Sequence, residues 1–250
     1  MSITLKMRDE EICEMARCFL EKYQPNALKV PQRTDLSILL DFIKKDFGFS
    51  FIKSDLGSEN NSKVLGSTDF RNKTISIDNS FESDDYNKSI RVPFVIAHEI
   101  GHCIVHGPKY SELKMAGVFD QVTTDTMDMV TGKRILKNDR DFIEHQAHIF
   151  AASILVPAQT LKAALIKSQE KVGINRKRGV IYLDKKGYSH RDYQLTLMEL
   201  KRFYFVSKHV LRIRLHQNSL IEGPIERIPS VAAIFNEMGL DKIRENWIED

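Results

Sequence analysis

Apolar residues near the start of the chain recur at helical spacing and then switch to the alternation of a strand. Ile12, Met15, Ala16, Phe19 and Leu20 share one face of a helix predicted from about Arg8 to Tyr23. Thr34 or Asp35 can cap a second helix running to about Phe47, with Gly48 placed to stop it. Phe49 to Ser54 reads as a short strand. Leu65 to Asp69 and Lys73 to Asp78 read as a hairpin pair, the second alternating polar and apolar as a half-buried strand does. Asp78 to Ser89 is a polar, acidic loop.

The stretch Ser89 to Pro108, SIRVPFVIAHEIGHCIVHGP, breaks this amphipathic habit. Ser89 can cap a helix, Pro93 suits its first turn, and Gly107 with Pro108 ends it. Its apolar residues lie nearly all round, which predicts a buried helix. A long polar loop follows, from about Lys109 to Arg140. Helical spacing returns from about Asp141 to Val156, and a further helix is expected near Pro157. Gly179 to Leu183 reads as a short strand, and Arg191 to Leu215 as a helix pair with Ser207 capping the second. A last helix is expected from about Ser230 to Glu249. The mixture predicts an α+β fold, divided into residues 1–170 and a mostly helical, basic region 171–250.

Four ionisable residues interrupt the buried helix: His98, Glu99, His102 and His106. At about 100° per residue they fall within one arc of about 100°. Burying unpaired polar groups costs roughly 2–7 kcal/mol each, and a shared metal with its bound water would satisfy them together. His98 and His102 stand one turn apart, so both imidazoles can reach one zinc ion at about 2.0–2.1 Å. Glu99 is turned too far round to ligate with both, but can act as general base on a metal-bound water. A catalytic zinc needs a third protein ligand. A histidine six residues beyond His102 would be one source, but that position is Pro108. The helix FIEHQAHIFAASILVP offers Glu144 and His148, one turn apart on one face; the chemistry of the residues leaves the choice between them open. His106 is expected to make a supporting or helix-end contact.

Composition adds limits rather than a function. The 250 residues are 42% hydrophobic and 28% charged, ordinary values for a globular chain. No apolar run approaches the roughly 20 residues of a membrane span, and the N-terminus does not read as a signal peptide, so a cytoplasmic protein is expected. Three cysteines, Cys13, Cys18 and Cys103, argue against a disulfide scaffold; Cys13 and Cys18 read as core thiols. From Ala158 to Gln217 there are 14 Lys and Arg against 4 Asp and Glu, a net +10 in a chain whose total is +3. Such a surface could meet an acidic protein or nucleic acid.

Three stretches resemble the ImmA/IrrE family of metallopeptidases: FVIAHEIGHCIVH (Phe94–His106), EHQAHIFAASILVP (Glu144–Pro157) and FVSKHVLRIRL (Phe205–Leu215). The resemblance spans about Leu36 to Ile221. It implies a zincin-like core, with zinc held by His98, His102 and Glu144, and Glu99 as general base. Where the family usually carries Asn or Asp four residues after the glutamate, this chain has His148. The resemblance also implies a protein substrate, a helix-turn-helix repressor whose cleavage relieves repression, bound by strand addition to Lys73–Asp78. Nucleic acid is not an expected partner, because the basic region lacks a helix-turn-helix signature. The alternative is a regulator that keeps zinc for structure and binds a repressor or DNA.

Overall fold

The computed structural model describes residues 7–59, 62–81, 86–110, 121–125, 139–184 and 186–223. It is a mixed α+β structure whose contacts divide it into two compact units. The first comprises Met1–Leu28 and Thr34–Pro157, the second Lys29–Arg33 and Ala158–Asp250.

In the first unit, α1 spans Asp9–Tyr23 and buries Ile12, Ala16, Phe19 and Leu20. Its acidic first turn, Asp9, Glu10 and Glu11, complements the positive helix end. The carboxylate of Asp35 accepts from the Ser37 and Ile38 amides and so caps α2, Leu36–Phe42. A π turn, Ile43–Phe47, extends α2 until Gly48, at φ 76°, reverses the chain.

Five strands follow: β1 (Ser50–Ser54), β2 (Ser58–Glu59), β3 (Ser62–Asp69), β4 (Thr74–Asp78) and β5 (Gln121–Asp125). β1 runs parallel to β4, and β3 antiparallel to β4. β2 and β5 both pair antiparallel with β3. Two expectations change here. The stretch Lys109–Arg140 contains strand β5, which a polar sequence of Gln, Thr and Asp around one Val does not announce. And β4 is flanked by β1 and β3, so both of its edges are taken and it offers no edge for a substrate strand. Residues 111–120 and 126–138 of the expected loop, and the expected helix from Ser230 to Glu249, lie outside the described residues.

The helix α3 spans Tyr86–Gly101, beginning before Ser89 and leaving Pro93 inside it. The ring costs a helical hydrogen bond, but burial of Ile90, Phe94, Val95 and Ala97 holds the segment helical. A π turn, His102–His106, and a 3₁₀ turn, Gly107–Lys109, finish it. α4 spans Asp139–Leu155. It packs against α3 and α1; Phe19 of α1 meets Phe150 of α4 with ring centroids 5.7 Å apart. Cys13 is partly buried, whereas Cys18 is exposed rather than a core thiol, because its helix position faces outward beside Glu14 and Arg17.

In the second unit, α5 (Ala158–Lys171), α6 (Gly187–Tyr204) and α7 (Lys208–Gln217) bury Leu161, Leu165, Leu197, Leu200 and Leu211. The Ser207 hydroxyl accepts from the Val210 amide and caps α7. β6 (Ile181–Tyr182) and β7 (Ile221–Glu222) pair in parallel. Part of the basic charge is locally paired: Lys171 and Arg202 both reach Glu199, and Arg178 reaches Glu170. No single helix among the described residues is long and apolar enough to cross a membrane.

Candidate metal centre

The site depends on how closely α3 and α4 approach. A Cβ on Gly101 would lie 3.1 Å from the Ala147 carbonyl oxygen and 3.3 Å from its Cα. The missing side chain of Gly101 and the small one of Ala147 therefore let the two backbones meet. Gly101 immediately precedes His102, and Ala147 follows Glu144 by one turn, so this contact brings the polar residues face to face.

There the His98 Nε2 lies 3.1 Å from Glu144 Oε2 and 2.9 Å from His102 Nε2. His102 Nε2 lies 3.7 Å from Glu144 Oε1. His98, Glu99, His102 and Glu144 are all 0% exposed. So many ring nitrogens and carboxylate oxygens gathered away from water are costly unless a proton or cation lies among them. Two imidazoles and a carboxylate are a donor set suited to zinc. A tetrahedral ion about 2.0–2.1 Å from each donor sets those donors roughly 3.3 Å apart, close to the separations here. The cluster can hold a metal ion.

A chain of hydrogen bonds orients His102. His106 is 1% exposed, and burial pulls its pKa down to about 4, with the nearby charges of His98 and Lys109 acting in the same direction and a hydrogen bond to Gln146 opposing. It is therefore neutral, with one ring proton. His106 Nε2 lies 3.0 Å from Gln146 Oε1 and donates to it. Its Nδ1 is then the acceptor for His102 Nδ1–H at 3.1 Å. That commits the His102 proton to Nδ1 and turns the Nε2 lone pair toward His98 and Glu144.

His148 stands at the side of the cluster. Its Nδ1–H donates to the Glu144 carbonyl at 2.7 Å, and its ring meets that of His98 edge-on, centroids 4.5 Å apart. Ligand atoms of His98, Glu144 and His148 all lie within 4.8 Å of one another. Glu144 and His148 thus both reach this centre, but the Glu144 carboxylate faces both histidines of α3.

Glu99 points to the sheet. The Thr68 hydroxyl of β3 donates to Glu99 Oε2 at 2.6 Å, and a Cβ on Gly66 would lie 2.5 Å from Glu99 Oε1. Neither Thr68, Gly66 nor Gln146 was singled out from the sequence. Gly66 had a readable signal, since an isolated glycine in a strand marks close approach of another group; Thr68 and Gln146 had none.

With this geometry in place the comparison with known families is decisive. The family model for peptidase M78, the IrrE N-terminal-like domain, matches residues 44–216. The chain belongs to this family. The match covers all three stretches on which the resemblance rested, and it makes the domain one of metallopeptidase type. No curated protein matches the chain.

Proposed function

We propose that this M78 family member is a zinc-dependent endopeptidase of zincin-like core, acting in the cytoplasm on a protein substrate, a helix-turn-helix repressor whose cleavage relieves repression. The observation that carries the reading is the meeting of His98, His102 and Glu144 at 2.9–3.7 Å with Glu99 on the same helix. His98, His102 and Glu144 hold the zinc. When bound, zinc supplies a water of lowered pKa, from about 15.7 toward 7, and an electrophile for a carbonyl oxygen.

The chain's own residues do the rest. Glu99 takes a proton from the attacking water and delivers it to the leaving amine nitrogen. His106 and Gln146 keep His102 in the tautomer that presents Nε2. Burial of the whole cluster excludes bulk water and strengthens each of these electrostatic contacts.

The test is direct. The zinc-loaded protein is incubated with purified helix-turn-helix repressors encoded near its own gene, alongside Glu99→Gln. Discrete fragments with the wild type only are the expected result. Intact repressors, with cleavage of a peptide library, would keep the peptidase and replace the substrate. Zinc binding without hydrolysis of any peptide would favour a regulator that keeps zinc for structure.

A further inference from the structure

Glu99 is carried by α3, and two residues of β3 meet its carboxylate. The Thr68 hydroxyl donates to Oε2 at 2.6 Å and also lies 3.4 Å from the Glu99 carbonyl oxygen. Thr68 and Glu99 are both 0% exposed. The other oxygen, Oε1, occupies space that a side chain on Gly66 would need: a Cβ there would lie 2.5 Å from Oε1, and 2.8 Å from Val95 Cγ1. Residues 66 and 68 are two apart on a strand and so present the same face. Both are anchored on two sides: Gly66 pairs with Ile77 and Thr124, and Thr68 with Ile75 and Val122. The strand is therefore a rigid mount.

Resting on the reading of Glu99 as general base, we propose that Thr68 is a positioning residue for it, with Gly66 supplying the room its carboxylate needs. A glutamate has three side-chain torsions, and a base must meet its proton at hydrogen-bond distance. A short bond from a hydroxyl on a doubly paired strand fixes the carboxylate plane with Oε2 committed to Thr68. A donor to a carboxylate also stabilises its charged form, the form that accepts a proton. Thr68 touches no reacting atom in this scheme; it acts through Glu99.

The experiment compares zinc-loaded wild type, Thr68→Val, Thr68→Ser and Glu99→Gln on a fluorophore-quenched peptide library, with zinc content measured for each. Valine keeps the shape of threonine and removes the donor; serine keeps the donor. Thr68→Val is expected to lower kcat by about 10- to 100-fold, the range for losing a hydrogen bond to a charged group, with KM within about twofold and zinc content unchanged. Thr68→Ser should recover most of kcat. Equal losses in the valine and serine variants, or no loss in either, overturn the positioning role. Full activity of Glu99→Gln, or no hydrolysis by the wild type, instead removes the reading on which the role rests. A readout independent of activity is the double-mutant cycle of Thr68→Val and Glu99→Gln on the denaturant midpoint of the metal-free protein. The effect of Thr68→Val should shrink in the Glu99→Gln background; strict additivity overturns the contact.

Discussion

His98 Nε2 and Glu144 Oε2 meet at 3.1 Å although 46 residues separate them in the chain. Nothing local brings them together; the contact exists because α3 and α4 pack through Gly101 and Ala147. The Glu144 carboxylate faces His98 and His102, while His148 donates its Nδ1–H to a backbone carbonyl beside them, which leaves its Nε2 as a second candidate donor. Wild-type protein is expected to bind about one zinc per chain. Glu144→Ala should lose most of it, and His148→Ala should retain it. Elemental analysis of dialysed proteins decides this; the reverse pattern would make His148 the ligand.

Glu99→Gln keeps the shape of the side chain, leaves Thr68 only a neutral and weaker acceptor, and removes the base. Hydrolysis should fall by at least about 100-fold, within the usual contribution of a general base, with zinc content intact. Parallel rates in the two proteins would remove Glu99 from the chemistry.

Gln146 reaches His102 through His106 and should therefore control metal affinity. Gln146→Leu deprives His106 Nε2–H of its acceptor at 3.0 Å. The His106 proton can then move to Nδ1 and oppose the His102 proton it now accepts. Zinc affinity should weaken by about 10- to 100-fold, as for other groups that orient a ligand histidine. Competition with a chromogenic chelator measures it, and an unchanged affinity would mean that another group sets the tautomer.

Gly101→Leu should push α3 away from α4, because the atoms it meets first are the Ala147 backbone, which cannot rotate aside. A loss of roughly 1–3 kcal/mol is expected from overpacking, together with weaker zinc binding as His98 and Glu144 separate. Chemical denaturation with and without zinc reads both effects; a stability loss with unchanged zinc affinity would uncouple the packing from the site.

Asp78 closes the sheet end that supports this site and should govern acid stability. It accepts from Lys63 Nζ at 2.9 Å, the Ser80 amide at 2.8 Å and the Leu56 amide at 3.1 Å, with its side chain 1% exposed. Burial pushes its carboxyl up, but these bonds outweigh burial and hold it well below the usual carboxylate range. A depressed folded pKa contributes stability that is present above the unfolded value of about 3.9 and is lost as pH falls below it. Asp78→Asn should cost about 1–3 kcal/mol at neutral pH and flatten the acid limb of a stability-versus-pH curve. An acid limb with its wild-type slope in that variant would assign the dependence to other carboxylates.

The elements themselves were largely legible. Side-chain oxygens at Asp35 and Ser207 mark helix starts because a cap satisfies amides only a few residues away. The strand Thr74–Asp78 follows from alternation, and the single polar arc of His98, Glu99 and His102 follows from helical rotation alone. Such features depend on neighbours within one or two turns, which the sequence states directly. The helix start at Tyr86 escaped it because capping and proline signals near Ser89 and Pro93 are weaker than the burial that extends α3.

What the sequence by itself determined, then, is the chemistry offered by one helix: two histidines a turn apart and a carboxylate beside them. Tertiary structure decided what meets that helix. It set Glu144 against both histidines with His148 beside them, placed Gln146 behind His106, paired β1 with the edge of β4 that the hairpin leaves open, and brought Gly66 and Thr68 to Glu99. Those contacts join segments tens of residues apart. They depend on which small residues allow two backbones to approach, and no periodicity within either segment encodes that.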